Sequence, residues 1–135
     1  MKADAVYILD HTALEAFWGL RDGRETVEDI FSRAKKQYLE IYVTAIDMGK
    51  AYREMTREQG KKSAREALQQ IEEGPAKTVV INKKIAVEAM ELAMNFGLDY
   101  PDAFPCAMSV ITEGILVTAK QELTVVEDEL ELLLL

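Results

Sequence analysis

The stretch Ala5-Val6-Tyr7-Ile8-Leu9-Asp10-His11-Thr12-Ala13-Leu14 decides the architecture. Its first five residues form an apolar run containing a β-branched pair and an aromatic. Such a run near the start of a domain reads as a central strand buried on both faces. Asp10 closes the run and hands directly to a helical pattern. A carboxylate at the C-terminal end of a central strand lies at the edge of an open α/β sheet where ligands bind. Burying an acid there is costly unless a metal, a lysine or a row of amides meets it.

Outward from this stretch, 135 residues with 49% hydrophobic content suit one compact domain over 1–135 with a core of its own. The net charge of −8 excludes an extended basic surface for nucleic acid but leaves room for a small local site. The pairs Lys35-Lys36, Lys61-Lys62 and Lys83-Lys84 read as solvated helix faces or termini. Cys106 is the only cysteine, stands among apolar neighbours and reads as a buried, inert thiol, which fits a reducing cytoplasm. No signal peptide and no membrane-spanning apolar stretch is evident. His11 is the only histidine, cannot build a histidine metal site and reads as positional.

Along the chain, short strands alternate with helices. A helix is expected from about Thr12 to Leu20, and a second one opening with Thr26 as N-cap and Asp29 as its capping-box partner. Val27, Ile30, Phe31, Ala34 and Tyr38 supply the apolar stripe of that second helix. Ile41-Tyr42-Val43 reads as a strand, and Thr44 then caps a long helix with Asp47 in its first turn. A further helix ends at Gly74-Pro75, followed by a short edge strand at Thr78–Ile81. The stripe Ile85, Ala89, Leu92, Ala93, Phe96 stops at Gly97, and a last helix starts near Tyr100-Pro101-Asp102. Pro105 is tolerated in its first turn. Ile115-Leu116-Val117-Thr118 is a fourth strand, and the alternating tail from Thr124 predicts a fifth. Strands separated by helices imply right-handed crossovers and a mainly parallel sheet. In such a sheet Asp10, Lys50, Asp102 and Lys120 can converge on one edge.

These segments resemble a PIN domain: Tyr7-Ile8-Leu9-Asp10-His11-Thr12-Ala13-Leu14, then Val43-Thr44-Ala45-Ile46, then Leu98-Asp99-Tyr100-Pro101-Asp102-Ala103, then Leu116-Val117-Thr118. The resemblance covers nearly the whole chain. It implies a three-layer α/β/α sandwich with a five-stranded, mainly parallel sheet. Many small members are VapC-type toxins of toxin–antitoxin pairs, magnesium- or manganese-dependent endoribonucleases and usually homodimers. The implied site is a set of acids, of which Asp10 fills the first position, with Thr12 nearby, and Asp102 the third. Lys50 stands where the second acid is expected, and Lys120, after Thr118-Ala119, where the fourth is. Asp47, Glu54, Asp99 and Glu122 are reserves. Asp47 reads first as the capping partner of Thr44, Glu54 as a partner of a surface cation, and Asp99 as an N-cap.

The two lysines change the expected chemistry. Magnesium takes oxygen ligands and would activate water and neutralise a scissile phosphate. A lysine ammonium ~4 Å from a divalent ion faces gross repulsion on the order of 8 kcal/mol at an effective dielectric near 20. The expected outcome is therefore that Lys50 and Lys120 neutralise Asp10 and Asp102 directly, leaving catalysis lost or impaired. The alternative is an active Mg- or Mn-dependent endoribonuclease using Asp10 and Asp102, with a lysine reaching the phosphate of RNA. A phosphoacceptor receiver domain is a poor match, because Thr78–Ile81 is followed by Asn82-Lys83-Lys84 and Lys120 by Gln121. A domain without full metal ligation can still act as a homodimer or bind an antitoxin-like protein. Leu132-Leu133-Leu134-Leu135 requires burial on both sheet faces or an intersubunit contact.

Overall fold

The computed structural model describes residues 5–135. Its elements run β1 (Ala5–Leu9), α1 (His11–Phe17), α2 (Arg24–Lys35), β2 (Leu39–Thr44), α3 (Ala45–Gln59), α4 (Lys61–Glu73), β3 (Lys77–Val79), α5 (Lys83–Phe96), α6 (Ala103–Thr112), β4 (Ile115–Thr118) and β5 (Glu131–Leu134). Short 3-10 turns cover Tyr100–Asp102 and Gln121–Val126. The strands form one sheet in the order β3-β2-β1-β4-β5, parallel at every pairing. The expected α/β/α architecture is observed.

Side-chain alternation in the central strand divides the core. Tyr7 and Leu9 point to one face and Ile8 to the other. On the first face they meet Leu14 of α1, Ile30 and Phe31 of α2, Met48 of α3 and Ile71 of α4. On the second, Ile8 and Leu116 meet Ile85 and Leu92 of α5 and Phe104 and Cys106 of α6. Both faces of β1 are therefore dry, which explains why its sequence does not alternate with polar residues. Each fully buried Ile8 or Leu9 contributes roughly 1.5–3 kcal/mol. Three of the four terminal leucines find partial cover within the chain, while Leu134 stays 39% exposed. Leu133 and Leu135 pack on the first face and Leu132 on the second.

Several boundaries differ from expectation. The second helix starts at Arg24 with Gly23 as N-cap, so Thr26 lies inside its first turn and does not cap it. Gly23 can precede the helix because its φ of +106° is open to glycine, and a Cβ there would lie 3.1 Å from the Leu135 Cβ. The first helix stops at Phe17, short of Leu20. Residues 124–130 do not extend β5, because Gln121–Val126 winds into a 3-10 turn that buries Leu123 and Val126. Asp99 occupies the N-cap position of the Tyr100 turn without a side-chain capping bond. The basic pairs are exposed, as their composition predicts.

Candidate functional site

Parallel pairing brings the C-terminal ends of β1, β2 and β4 to one edge, together with the N-termini of α1, α3 and α6. Asp10 follows β1 directly and is the N-cap of α1. It is 1% exposed. Its Oδ1 accepts from the Ala13 amide at 3.0 Å and from the Thr12 hydroxyl at 2.6 Å. Its Oδ2 accepts from the Thr118 hydroxyl at 2.5 Å. The two threonines are themselves held by amides of the loop after β4. Ala119 N donates to Thr12 Oγ1 at 2.8 Å, and Lys120 N donates to Thr118 Oγ1 at 3.0 Å. Those amides occupy lone pairs on the hydroxyls, so both hydroxyl protons point at Asp10. Burial nevertheless lifts Asp10 above the ordinary carboxylate range, against the lowering effect of Thr118, Thr12, the charge of His11 and the Ala13 amide.

Asp47 is the second buried acid, 1% exposed. It has two jobs. With Thr44 it closes a cap on α3: the Thr44 hydroxyl donates to its Oδ2 at 2.6 Å, and its own amide donates to Thr44 Oγ1 at 3.0 Å. Its Oδ1 accepts from the His11 amide at 2.9 Å, which ties the start of α3 to the start of α1. Burial first, then the charge of Asp10, pushes its pKa from 3.8 up to about 7, against the bonds from Thr44 and the His11 amide. Among the described residues neither Asp10 nor Asp47 has a cationic side chain within 4.0 Å.

The cations gather on the third acid. Asp102, at the N-cap of α6, receives Lys120 Nζ on Oδ2 at 2.7 Å. Its Oδ1 faces Lys50 Nζ and His11 Nε2, each at 4.0 Å. Partial burial works against the Lys120 ammonium, yet the hydrogen bond and charge of Asp102, with Glu122 and Asp10, hold its pKa above the ordinary value. The lysines thus neutralise Asp102 and not Asp10, which corrects the expectation that they would serve both. The reason is reach. Asp10 is sealed beneath Thr12 and Thr118, whereas Asp102 opens the following helix at the rim.

His11 carries a buried partner that sequence reasoning missed. Its Nδ1 lies 2.6 Å from Oε2 of Glu15, one helical turn on, and Arg21 reaches Glu15 Oε1 at 3.2 Å. Glu15 is only 3% exposed. The available signal was an acid four residues after the sole histidine, inside an otherwise apolar helix. Of the reserves, Glu54 pairs with Arg57 at 3.7 Å as a surface acid would, while Asp99 and Glu122 lie with Asp102 around a cleft of about 350 Å³. Cys106 is buried behind the acids, and burial with the charges of Asp10, Asp102 and Asp47 pushes its thiol up to about 12.

The misfit for a divalent cation lies at Asp102, where the Lys120 ammonium holds Oδ2 at 2.7 Å and Lys50 Nζ stands 4.0 Å from Oδ1. The oxygens of Asp10 and Asp47 each accept a protein hydrogen bond and keep lone-pair capacity of their own. Among the described residues no group of three or more His, Cys, Asp or Glu side chains is arranged to hold a metal ion.

By sequence, neither a family model nor a curated protein matches the chain. By structure, VapBC2 from Rickettsia felis, bound to a DNA fragment from its promoter, aligns with a TM-score of 0.74 at 14% identity. That alignment covers 95% of this chain and 97% of the other. The fold is that of a PIN domain. VapC20 from Mycobacterium tuberculosis, described as a Sarcin-Ricin loop cleaving toxin, shares the PIN fold with a TM-score of 0.66 at 12% identity, covering 82% of this chain and 86% of the other. VapBC from Salmonella typhimurium, also bound to DNA, gives 0.74 at 7% identity, covering 96% and 97%. At these identities the likeness fixes the PIN fold and nothing finer. No helix is long and apolar enough to cross a membrane among the described residues.

Proposed function

We propose that this PIN-fold protein acts by binding a protein partner in a toxin–antitoxin-type assembly, as a homodimer, with metal-dependent RNA cleavage lost or impaired. The observation that carries this reading is the Lys120 ammonium on Asp102 at 2.7 Å, on a carboxylate that a divalent ion would otherwise need. Asp10, Thr12, Thr118 and Asp102 are the remnant of a nuclease site, and Lys50 and Lys120 stand at its substituted acid positions. The structural neighbours include VapBC complexes of toxin with antitoxin, which supports an antitoxin-like partner. A groove of about 900 Å³ beside α2 and α4, where Trp18 and Met55 lie among Arg24, Glu28, Lys35 and Glu66, offers a mixed polar and apolar surface for such a partner away from Asp10 and Asp102.

The test is manganese titration by calorimetry, together with incubation of the purified protein with total RNA and manganese. Neither binding at millimolar metal nor cleavage is expected. Manganese-dependent cleavage that Asp10→Asn abolishes would establish the active ribonuclease instead. Sedimentation equilibrium checks the homodimer.

A further inference from the structure

We propose that Lys120 is a tethered cation: its ammonium takes the place of a site ion on Asp102 and locks the loop after β4 to the start of α6. This deepens the reading of an ion-paired site. Three observations converge on it. Lys120 Nζ meets Asp102 Oδ2 at charge-assisted hydrogen-bond distance, 2.7 Å, while the Lys120 amide donates to Thr118 Oγ1 at 3.0 Å. One residue therefore grips β4 through its backbone and α6 through its side chain. Its partner carboxylate is 5% exposed and the lysine side chain 20%, so the pair is largely withdrawn from water. Lys50, from α3, stands 4.0 Å from the other oxygen of the same carboxylate. Asp102 thus sits among groups from α1, α3 and the β4 loop, as a metal would be placed among its ligands with the charges reversed.

The reversal has a consequence for latent metal binding. Removing both lysine charges and restoring acids leaves Asp10, Asp102 and two new carboxylates at one sheet edge with no ammonium to repel a cation.

The experiment reads thermal unfolding of the full chain, with and without millimolar manganese. Lys120→Met is expected to lower Tm by roughly 5–10 °C, because it strands a buried carboxylate, while the exposed control Lys84→Met leaves it unchanged. Wild type is expected to show no manganese shift. The double substitution Lys50→Glu with Lys120→Asp is expected to gain a saturable manganese-dependent rise of about 5 °C or more, reversed by chelator. If the double variant does not fold, NMR of the wild-type Lys120 ammonium decides the matter: a slowly exchanging Nζ signal that vanishes in Lys120→Met supports the proposal. Equal Tm for wild type and Lys120→Met, or a freely exchanging ammonium, overturns it. So does a folded double variant without a manganese shift. None of these outcomes measures cleavage: the loss of cleavage is decided by the wild-type RNA and manganese assays, and manganese-dependent RNA cleavage by wild type removes that reading while the Lys120→Met result is scored separately.

Discussion

Replacing Asp47 with asparagine tests whether the buried edge of the sheet prefers a proton to a charge. Burial and the neighbouring Asp10 raise the Asp47 pKa from 3.8 to about 7. At about 1.36 kcal/mol per tenfold, that rise corresponds to about 4 kcal/mol of preference for the neutral acid in the folded state. The sign follows from linkage. A carboxyl whose folded pKa is raised favours folding fully below its unfolded value, and the advantage is lost as pH climbs from about 4 through 7. Wild type should therefore lose on the order of 4 kcal/mol across that window from this group. Asp10 is shifted in the same direction and adds to the trend. Asp47→Asn keeps an oxygen for the His11 amide, and its Nδ2 can donate to Thr44 once the hydroxyl rotates. It should match wild type at pH 4 and exceed it by up to about 4 kcal/mol at pH 8. The assay is urea denaturation of both proteins at pH 4 to 8. A stability difference that does not change with pH would refute the reasoning, since Asp47 would then be an ordinary ionised cap.

Thr118→Val leaves Asp10 Oδ2 without its donor and the Lys120 amide without its acceptor, and should cost about 2–3 kcal/mol by denaturant titration. Gly114→Ala places a Cβ 2.9 Å from the Val6 carbonyl, part of the central strand, and should cost about 1–3 kcal/mol by the same measurement. Glu15→Gln weakens the bond to His11 and should cost about 1–2 kcal/mol, with a change in the imidazole nitrogen shifts. Arg21→Ala, at a 40% exposed side chain, should cost under about 1 kcal/mol.

The fold is legible because strands buried on both faces leave a strong local signature. Ala5–Leu9 and Ile115–Thr118 are apolar without alternation, and Thr44-Ala45-Ile46-Asp47 writes its own cap. Residues 124–130 mislead because Thr124, Val126 and the acids after them alternate like a strand, while a 3-10 turn buries Leu123 and Val126 equally well. The role of Gly23 is hidden because it depends on Leu135, over a hundred residues away. The acids at the sheet edge can be placed by topology, and so can Lys50 and Lys120. Which acid the lysines choose cannot. That choice depends on depth: the two threonines cover Asp10, with a lid made by side chains of α1 and β4 that forms only in the folded chain. Glu15 is hidden for the opposite reason, since an acid on a short helix reads as solvent-facing until its histidine and arginine are seen.

The chain of donors that ends on Asp10 also has a kinetic meaning. The Ala119 and Lys120 amides lie outside any strand, in a loop where amides ordinarily exchange readily with solvent. Here each is bonded to a threonine hydroxyl whose proton is committed to a buried carboxylate. Breaking one amide bond frees an acceptor on a threonine side chain that is itself buried. These two loop hydrogens should therefore leave only when β1 and β4 part, and the slowest-exchanging amides of the protein should include a pair that secondary structure alone would place among the fastest.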